Sequence, residues 1–198
     1  CDWSSDVCSS DLFWRGATTG GVFSLSNWRS FPRSQLVALS LKHPKELDAR
    51  FSLLIQAKTQ EAYPLKSVMT KHNMFAKGET IDQHLKYKYL IDIDGNSCTY
   101  SRLYWILKSN SLCIKQLSSH KQWYYPLLKA NVHYLPFSQD FSDLIEKLDS
   151  DVLDYVELLK KKDVDEEDIA EMLIDASDTK FKMSYYIDRK STRLNSSH

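Results

Sequence analysis

Apolar residues fall in short blocks along this chain, and their spacing switches between a strand-like and a helix-like period. Phe13 to Arg15 is a brief apolar lead-in to Gly16-Ala17-Thr18-Thr19-Gly20-Gly21, a loop rich in glycine and hydroxyls. Pro32 suits the first turn of a helix running to about Leu41, with Leu36, Val37, Leu39 and Leu41 as its apolar positions. Proline is pre-set for that turn and lacks only an N–H that would go unpaired anyway. Phe51 to Gln56 and Tyr89 to Ile93 have strand character, and the second stops abruptly at the turn residues Asp94-Gly95-Asn96. Leu103, Tyr104, Ile106 and Leu107 then fall at helical spacing, and Ser111 to Gln116 and Asn131 to Phe137 are further strand candidates.

The last third turns helical and acidic. Asp140 or Ser142 could cap a helix carrying Leu144, Ile145 and Leu148, and Asp151 another through Val152, Leu153, Val156 and Leu159. Lys160-Lys161-Lys162 followed by Asp163 to Asp168 is a charge-segregated stretch, most simply a solvated helix end and the start of the next helix. Strands separated by helices predict an α/β fold, a Rossmann-like, mostly parallel sheet with helices on both faces. Ligands of such sheets sit at the carboxyl ends of the strands, so chemistry is to be sought in the loops after Arg15, Ile93 and Gln116.

The two ends change the composition. Back-translated with permissible codons, Cys1 to Leu12 gives a DNA string whose reverse complement encodes the eleven residues Asp188 to His198 in register. That string resembles a sequencing adapter. Residues 1–12 and 188–198 are therefore expected to be translated adapter rather than native protein, leaving 13–187 as one domain and a fragment of a longer chain. Setting the ends aside removes three basic and four acidic residues and moves the formal charge from zero to about +1, which gives no global argument for nucleic acid. Cys98 and Cys113 remain, too few for a disulfide framework, and a reducing compartment is the better expectation. No run approaches the roughly 18 apolar residues of a membrane span.

Three features converge on a phosphorylated ligand. Arg15 beside Gly16, Thr18, Thr19 and Gly20 offers a guanidinium fork, hydroxyls and closely approachable amides. Beyond the Asp94-Gly95-Asn96 turn, Ser101 and Arg102 stand at the start of a helix, where N–H groups and a fixed positive charge suit phosphate oxygens. Lys115 ends the next strand. The same residues also fit a purely structural reading, in which Arg15 pairs with a nearby carboxylate, the glycines make turns and Asp94 caps the following helix.

A family resemblance favours the first reading. Lys86-Tyr-Lys-Tyr-Leu-Ile-Asp-Ile-Asp-Gly-Asn96, Tyr100-Ser-Arg102 and Leu107-Lys-Ser-Asn-Ser-Leu-Cys-Ile-Lys-Gln116 resemble the core of the family 90 glycosyltransferases. The likeness continues through Gln122-Trp-Tyr-Tyr-Pro126, Val132-His-Tyr-Leu-Pro136 and Phe141-Ser-Asp-Leu144, and Phe13-Trp-Arg-Gly-Ala-Thr-Thr-Gly20 resembles the family's arginine-glycine motif. The resemblance implies the C-terminal, donor-binding domain of a two-domain GT-B enzyme that needs no metal or other cofactor and takes a UDP-sugar. It carries donor-site roles to Arg15, Gly16, Thr18, Thr19, Asp94, Gly95, Ser101 and Arg102, with Lys115 and His133 as further candidates. Trp123, Tyr124 and Tyr125 are expected to pack rather than to form a sugar platform. The catalytic base of inverting members lies upstream of the arginine-glycine motif, so this chain is expected to hold a nucleotide without transferring sugar. Ala17 stands where the family often has a hydroxyl residue, and the segment from Asp149 to Lys162 is longer and more charged than usual.

The expected acceptor is a lipopolysaccharide or other surface glycan, and second a protein. The matching location is the bacterial cytoplasm or the cytoplasmic face of the inner membrane, held there peripherally, with the ER lumen as the alternative. Rival readings are a haloacid-dehalogenase-like phosphatase with Asp92 as nucleophile and Asp94 as acid/base, a metal-dependent GT-A transferase using the same two residues, and a non-catalytic carbohydrate-binding protein.

Overall fold

The computed structural model describes residues 12–149, all within one compact unit. Five parallel strands form a single sheet: β1 (Leu12–Ala17), β2 (Leu47–Leu53), β3 (Tyr89–Asp92), β4 (Leu112–Gln116) and β5 (Leu135–Phe137), in the order β2-β1-β3-β4-β5. Between them run α1 (Pro32–Lys42), α2 (Ala62–Lys71), α3 (Ile81–His84) and α4 (Arg102–Leu107), and α5 (Glu146–Asp149) follows β5. The chain steps one way from β1 to β2 and the other way from β3 onward. That reversal makes the carboxyl ends of β1 and β3 the topological switch point, where the crossing connections part and leave a crevice.

Side-chain alternation along the strands builds two cores. Leu12 and Trp14 of β1, Tyr89 and Ile91 of β3, and Leu112 and Ile114 of β4 face one side, where Leu36 and Val37 of α1 and Leu65 and Met69 of α2 cover them. Phe13, Leu90 and Cys113, the residues between, face the other side and meet Leu103 and Ile106 of α4. Phe13 also stacks on Tyr87 at 3.8 Å between ring centroids. Helices therefore lie on both faces, as expected, and strands buried on both faces appear in sequence as near-continuous apolar runs.

Several boundaries differ from the expectation. β2 starts four residues before Phe51 and ends at Leu53. Leu47, Ala49 and Phe51 are its buried positions, alternating with Asp48, Arg50 and Ser52 as befits the edge of the sheet. β5 is shorter than 131–137, because Asn131 adopts φ 61° and residues 131–134 form a turn closed by Asn131 N–H donating to the Tyr134 carbonyl at 2.8 Å. Asp140 accepts from the Ser142 N–H and hydroxyl instead of capping a helix, Asp143 accepts from Ser138 N–H, and helical structure begins only at Glu146. α2 and α3 were not anticipated; α3 is set by a reciprocal capping box between Thr80 and Gln83. Leu12, assigned to the flank by sequence, is fully buried in β1 and pairs with Leu47 and Tyr89. The helix expected from Asp151, the charge-segregated stretch at 160–168 and the segments 1–11 and 188–198 lie outside the described residues. Among the described residues no helix is long and apolar enough to cross a membrane.

Candidate functional site

The loops leaving β1 and β3 meet at the switch point because glycine permits it. Gly20 and Gly21 take φ of 107° and 143°, which side chains rarely adopt. Gly20 N–H donates to the Asn96 side-chain oxygen at 3.0 Å. A Cβ on Gly95 would stand 2.4 Å from Thr19 Oγ1 and 2.9 Å from an Arg33 nitrogen, so only glycine lets the two loops close to this distance. Gly16 serves a different purpose: its missing side chain is the space that the Trp14 ring fills, 2.4 Å from where a Cβ would be.

Arg33, at the start of α1, ties the crevice together and was missed by sequence reasoning. It donates to the carbonyls of Asp94 (2.8 Å), Ala17 (3.0 Å) and Ile93 (3.2 Å), joining the ends of β1 and β3 with one guanidinium. Burial, then the nearby Arg102 charge, lower its pKa to about 10, while Asp92 and Asp94 pull the other way. No local pattern marks such a residue, since its partners lie far away in sequence and are all main-chain oxygens.

Arg102 sits beside it and is used differently. It donates one N–H to the Arg15 carbonyl at 2.6 Å, lies 5.9 Å from both the Trp14 and Trp105 rings, and makes no further hydrogen bond among the described residues. Burial depresses its pKa, opposed by Asp92. An arginine remains charged regardless, so the residue is a desolvated cation with donors to spare. Ser101 stands exposed at the head of α4 with no side-chain capping bond. At six residues α4 is too short to matter through its dipole, and its contribution is the Arg102 side chain.

Arg15 departs from its expected role. Its two terminal nitrogens bond both carboxylate oxygens of Asp48, at 3.0 and 2.7 Å, and Nη1 also donates to the carbonyls of Trp14 and Asp48. The fork is thus closed on a neighbouring strand, as the structural reading of this residue had it. Thr18 is fully buried, and its hydroxyl accepts from Ile55 N–H at 2.9 Å, fastening the loop to the end of β2. Thr19 is half-buried, with no hydrogen bond among the described residues.

At β3 and β4 the polar residues interlock. Asp92 is fully buried, bonding Lys115 Nζ at 2.7 Å with one oxygen and the Thr99 hydroxyl with the other. Burial pulls the Lys115 pKa down, but Asp92 outweighs it and the net shift is upward; its ammonium also donates to Tyr125 Oη at 3.2 Å. A carboxylate engaged at both oxygens is poorly presented as the phosphatase nucleophile. Asp94 does not cap α4. It accepts from the Ser118 hydroxyl and lies 2.9 Å from His120 Nδ1, while its second oxygen is buried without a partner among the described residues. His133 is not brought to the site. Its Nδ1 accepts from Lys129 N–H at 2.9 Å in the turn before β5, at the amino end of that strand, and burial followed by Lys129 lowers its pKa.

The structure therefore brings Thr19, Gly20, Asp94, Gly95 and Arg102 to one crevice with Arg33, places Lys115 just behind it, and leaves His133 elsewhere. A parallel α/β sheet whose strand order reverses between β1 and β3 defines a Rossmann-like domain. The profile of Glycosyl transferase family 90 matches residues 9–185, and the chain belongs to that family. Among curated proteins it is similar to Protein O-glucosyltransferase 2 of Danio rerio, 34% identical over 116 residues, which is 59% of this chain and 21% of that protein. Protein O-glucosyltransferase 1 of Rattus norvegicus is 30% identical over 146 residues, 74% of this chain and 33% of the relative. O-glucosyltransferase LpsA of Dichelobacter nodosus is 34% identical over 70 residues, 35% of this chain and 22% of the relative. The chain thus spans between about a fifth and a third of the length of these relatives.

Proposed function

We propose that this chain is the donor-holding part of a metal-independent glycosyltransferase, binding a UDP-sugar whose sugar passes to a hydroxyl. The acceptor we favour is a lipopolysaccharide or other surface glycan at the cytoplasmic face of a bacterial membrane, and second a protein hydroxyl in the ER lumen; the names of the relatives support O-glucosyl transfer to either class. One observation carries the proposal: Arg102 is a desolvated guanidinium at the switch point that gives a single N–H to the described residues. Nearby, the Thr19 hydroxyl makes no hydrogen bond among the described residues and is a further donor for a phosphate oxygen.

As the bond between the sugar's anomeric carbon and the diphosphate breaks, its electron pair stays on the leaving phosphate oxygen. Arg102 stabilises that charge through paired N–H groups, worth more in a partly desolvated crevice than in water. Arg33 adds a second fixed positive charge nearby, so the leaving group needs no divalent cation. The base that takes the acceptor proton belongs to polypeptide upstream of the Arg15-Gly16 motif, and this chain binds donor without turning it over. Calorimetric titration with UDP, in EDTA, tests the reading. The unsubstituted chain should bind, and Arg102→Ala should lose on the order of tenfold or more in affinity while remaining folded by circular dichroism. Equal affinity in the two proteins would overturn it.

A further inference from the structure

Beside the crevice, one strand further along the sheet, stands a histidine that the family resemblance did not single out. His120 follows β4. Its backbone N–H donates to the Ser118 hydroxyl at 2.9 Å, and its ring Nδ1 lies 2.9 Å from Asp94 Oδ2, which also holds the Ser118 hydroxyl. The side chain of Asp94 is 12% exposed and that of His120 48%, so a nearly buried carboxylate anchors a ring that reaches outward. With Nδ1 committed to Asp94, Nε2 is the ring's outward nitrogen and has no partner among the described residues. The ring lines a cleft together with Lys115, Ser118, Lys121, Tyr125 and Tyr134.

The surroundings decide what such a ring is for. Asp92 is already matched by Lys115, which leaves Arg33, Arg102 and Lys121 against the single carboxylate of Asp94 at this edge of the sheet. That balance favours an anion. Arg102 reaches the Arg15 carbonyl in β1, and the His120 ring, from the loop after β4, reaches Asp94 just past the end of β3, the strand next to β1. Neighbouring strands lie about 5 Å apart, so both side chains are within reach of one diphosphate.

We propose that His120, oriented by Asp94, is a second ligand for the donor's diphosphate: as the imidazolium it keeps Nδ1–H on Asp94 and donates from Nε2 to a phosphate oxygen. The inference rests on the crevice being the donor site, and the test separates the two. Affinities for UDP and for UDP-glucose are measured on the full chain and on His120→Ala, His120→Lys and His120→Gln, with Arg102→Ala alongside. His120→Ala should weaken both ligands on the order of tenfold and by the same factor, because the contact is to what they share. His120→Lys should recover most of the loss and His120→Gln little, since the contact is to an anion. Unchanged UDP affinity in His120→Ala, with Arg102→Ala impaired, overturns this inference and leaves the donor site standing. A loss confined to UDP-glucose moves the ring to the sugar and overturns it as well. Failure of the unsubstituted chain to bind UDP sinks both.

Discussion

The two sides of the strand-order reversal handle their polar groups in opposite ways. Between β1 and β2 the charged side-chain termini and hydroxyls are mostly spent on the protein, although Trp14 Nε1, Arg15 Nε and Gln56 Oε1 are buried with no partner among the described residues. Arg15 is clamped on Asp48, the Thr18 hydroxyl accepts from Ile55 N–H, and the buried Ser40 hydroxyl donates to the Leu47 carbonyl while accepting from Ala49 N–H and Arg50. Between β1, β3 and β4, Arg102 has donors to spare, Thr19 has no hydrogen-bond partner among the described residues, one Asp94 oxygen is bare and His120 turns Nε2 outward. Burial does not distinguish the sides, since both hold charged groups well covered. What differs is where the guanidinium fork goes: Arg15 closes both terminal nitrogens on the Asp48 carboxylate, whereas Arg102 gives one N–H to a carbonyl among the described residues.

The sharpest way to break the comparison is Arg33→Ala, because Arg33 braces the very crevice it lies in. Three main-chain carbonyls would lose a charged donor, and chemical denaturation should show a loss of about 3 kcal/mol in unfolding free energy, with nucleotide affinity falling too. Next comes Asp48→Ala on the braced side, expected to cost about 2 kcal/mol by stranding the Arg15 guanidinium while UDP affinity stays within about twofold. If Asp48→Ala instead abolished UDP binding at unchanged stability, Arg15 and its partner would belong to the site. Gly95→Ala should cost about 1–2 kcal/mol, since the new methyl group runs into Thr19 and Arg33, and it should widen the crevice enough to weaken UDP.

The smallest effect concerns pH. His84 Nδ1–H donates to the Thr80 carbonyl at 2.7 Å, with Nε2 buried between Phe13 and Trp105 and without a partner among the described residues. Burial lowers its pKa, the Thr80 bond opposes, and Arg102 and Arg15 lower it further. The unfolded chain thus takes up a proton at higher pH than the folded one. The stability that His84 contributes is present above the ordinary histidine value of about 6.5 and is lost as pH falls through the lowered folded value. His133, also lowered, acts with the same sign. His84→Asn should flatten the fall of the melting temperature below pH 6.5, and an unchanged slope would mean that other groups set it.

How much of this was legible in sequence follows from how local each signal is. β1, β3 and β4 were visible as apolar runs ending in turn residues, and α1 and α4 as apolar positions at helical spacing after Pro32 and Arg102. β2 was misplaced because Asp48 and Arg50 interrupt its apolar run, although Leu47, Ala49 and Phe51 keep a strict period of two. α2 buries only Leu65 and Met69 and so offers a stripe of two residues, whereas the Thr80-to-Gln83 capping box of α3 was there to be found. At the site, Arg102 and the glycines were legible through motif spacing. Arg33 and His120 were not, because each matters through a contact with another strand end: main-chain carbonyls for the first, Asp94 for the second. Arg15 shows the converse, a residue whose type and position suit phosphate but whose carboxylate partner comes from β2.

Hydrogen exchange of the chain with and without saturating UDP tests the account most directly, since it locates the ligand without assuming any side chain. Slowed exchange at the amides of 18–21, 94–97 and 101–103, with 48–52 and 129–134 unchanged, is the predicted result. Protection centred on the β2 edge or the turn before β5, with the loops after β1 and β3 unaffected, would contradict it.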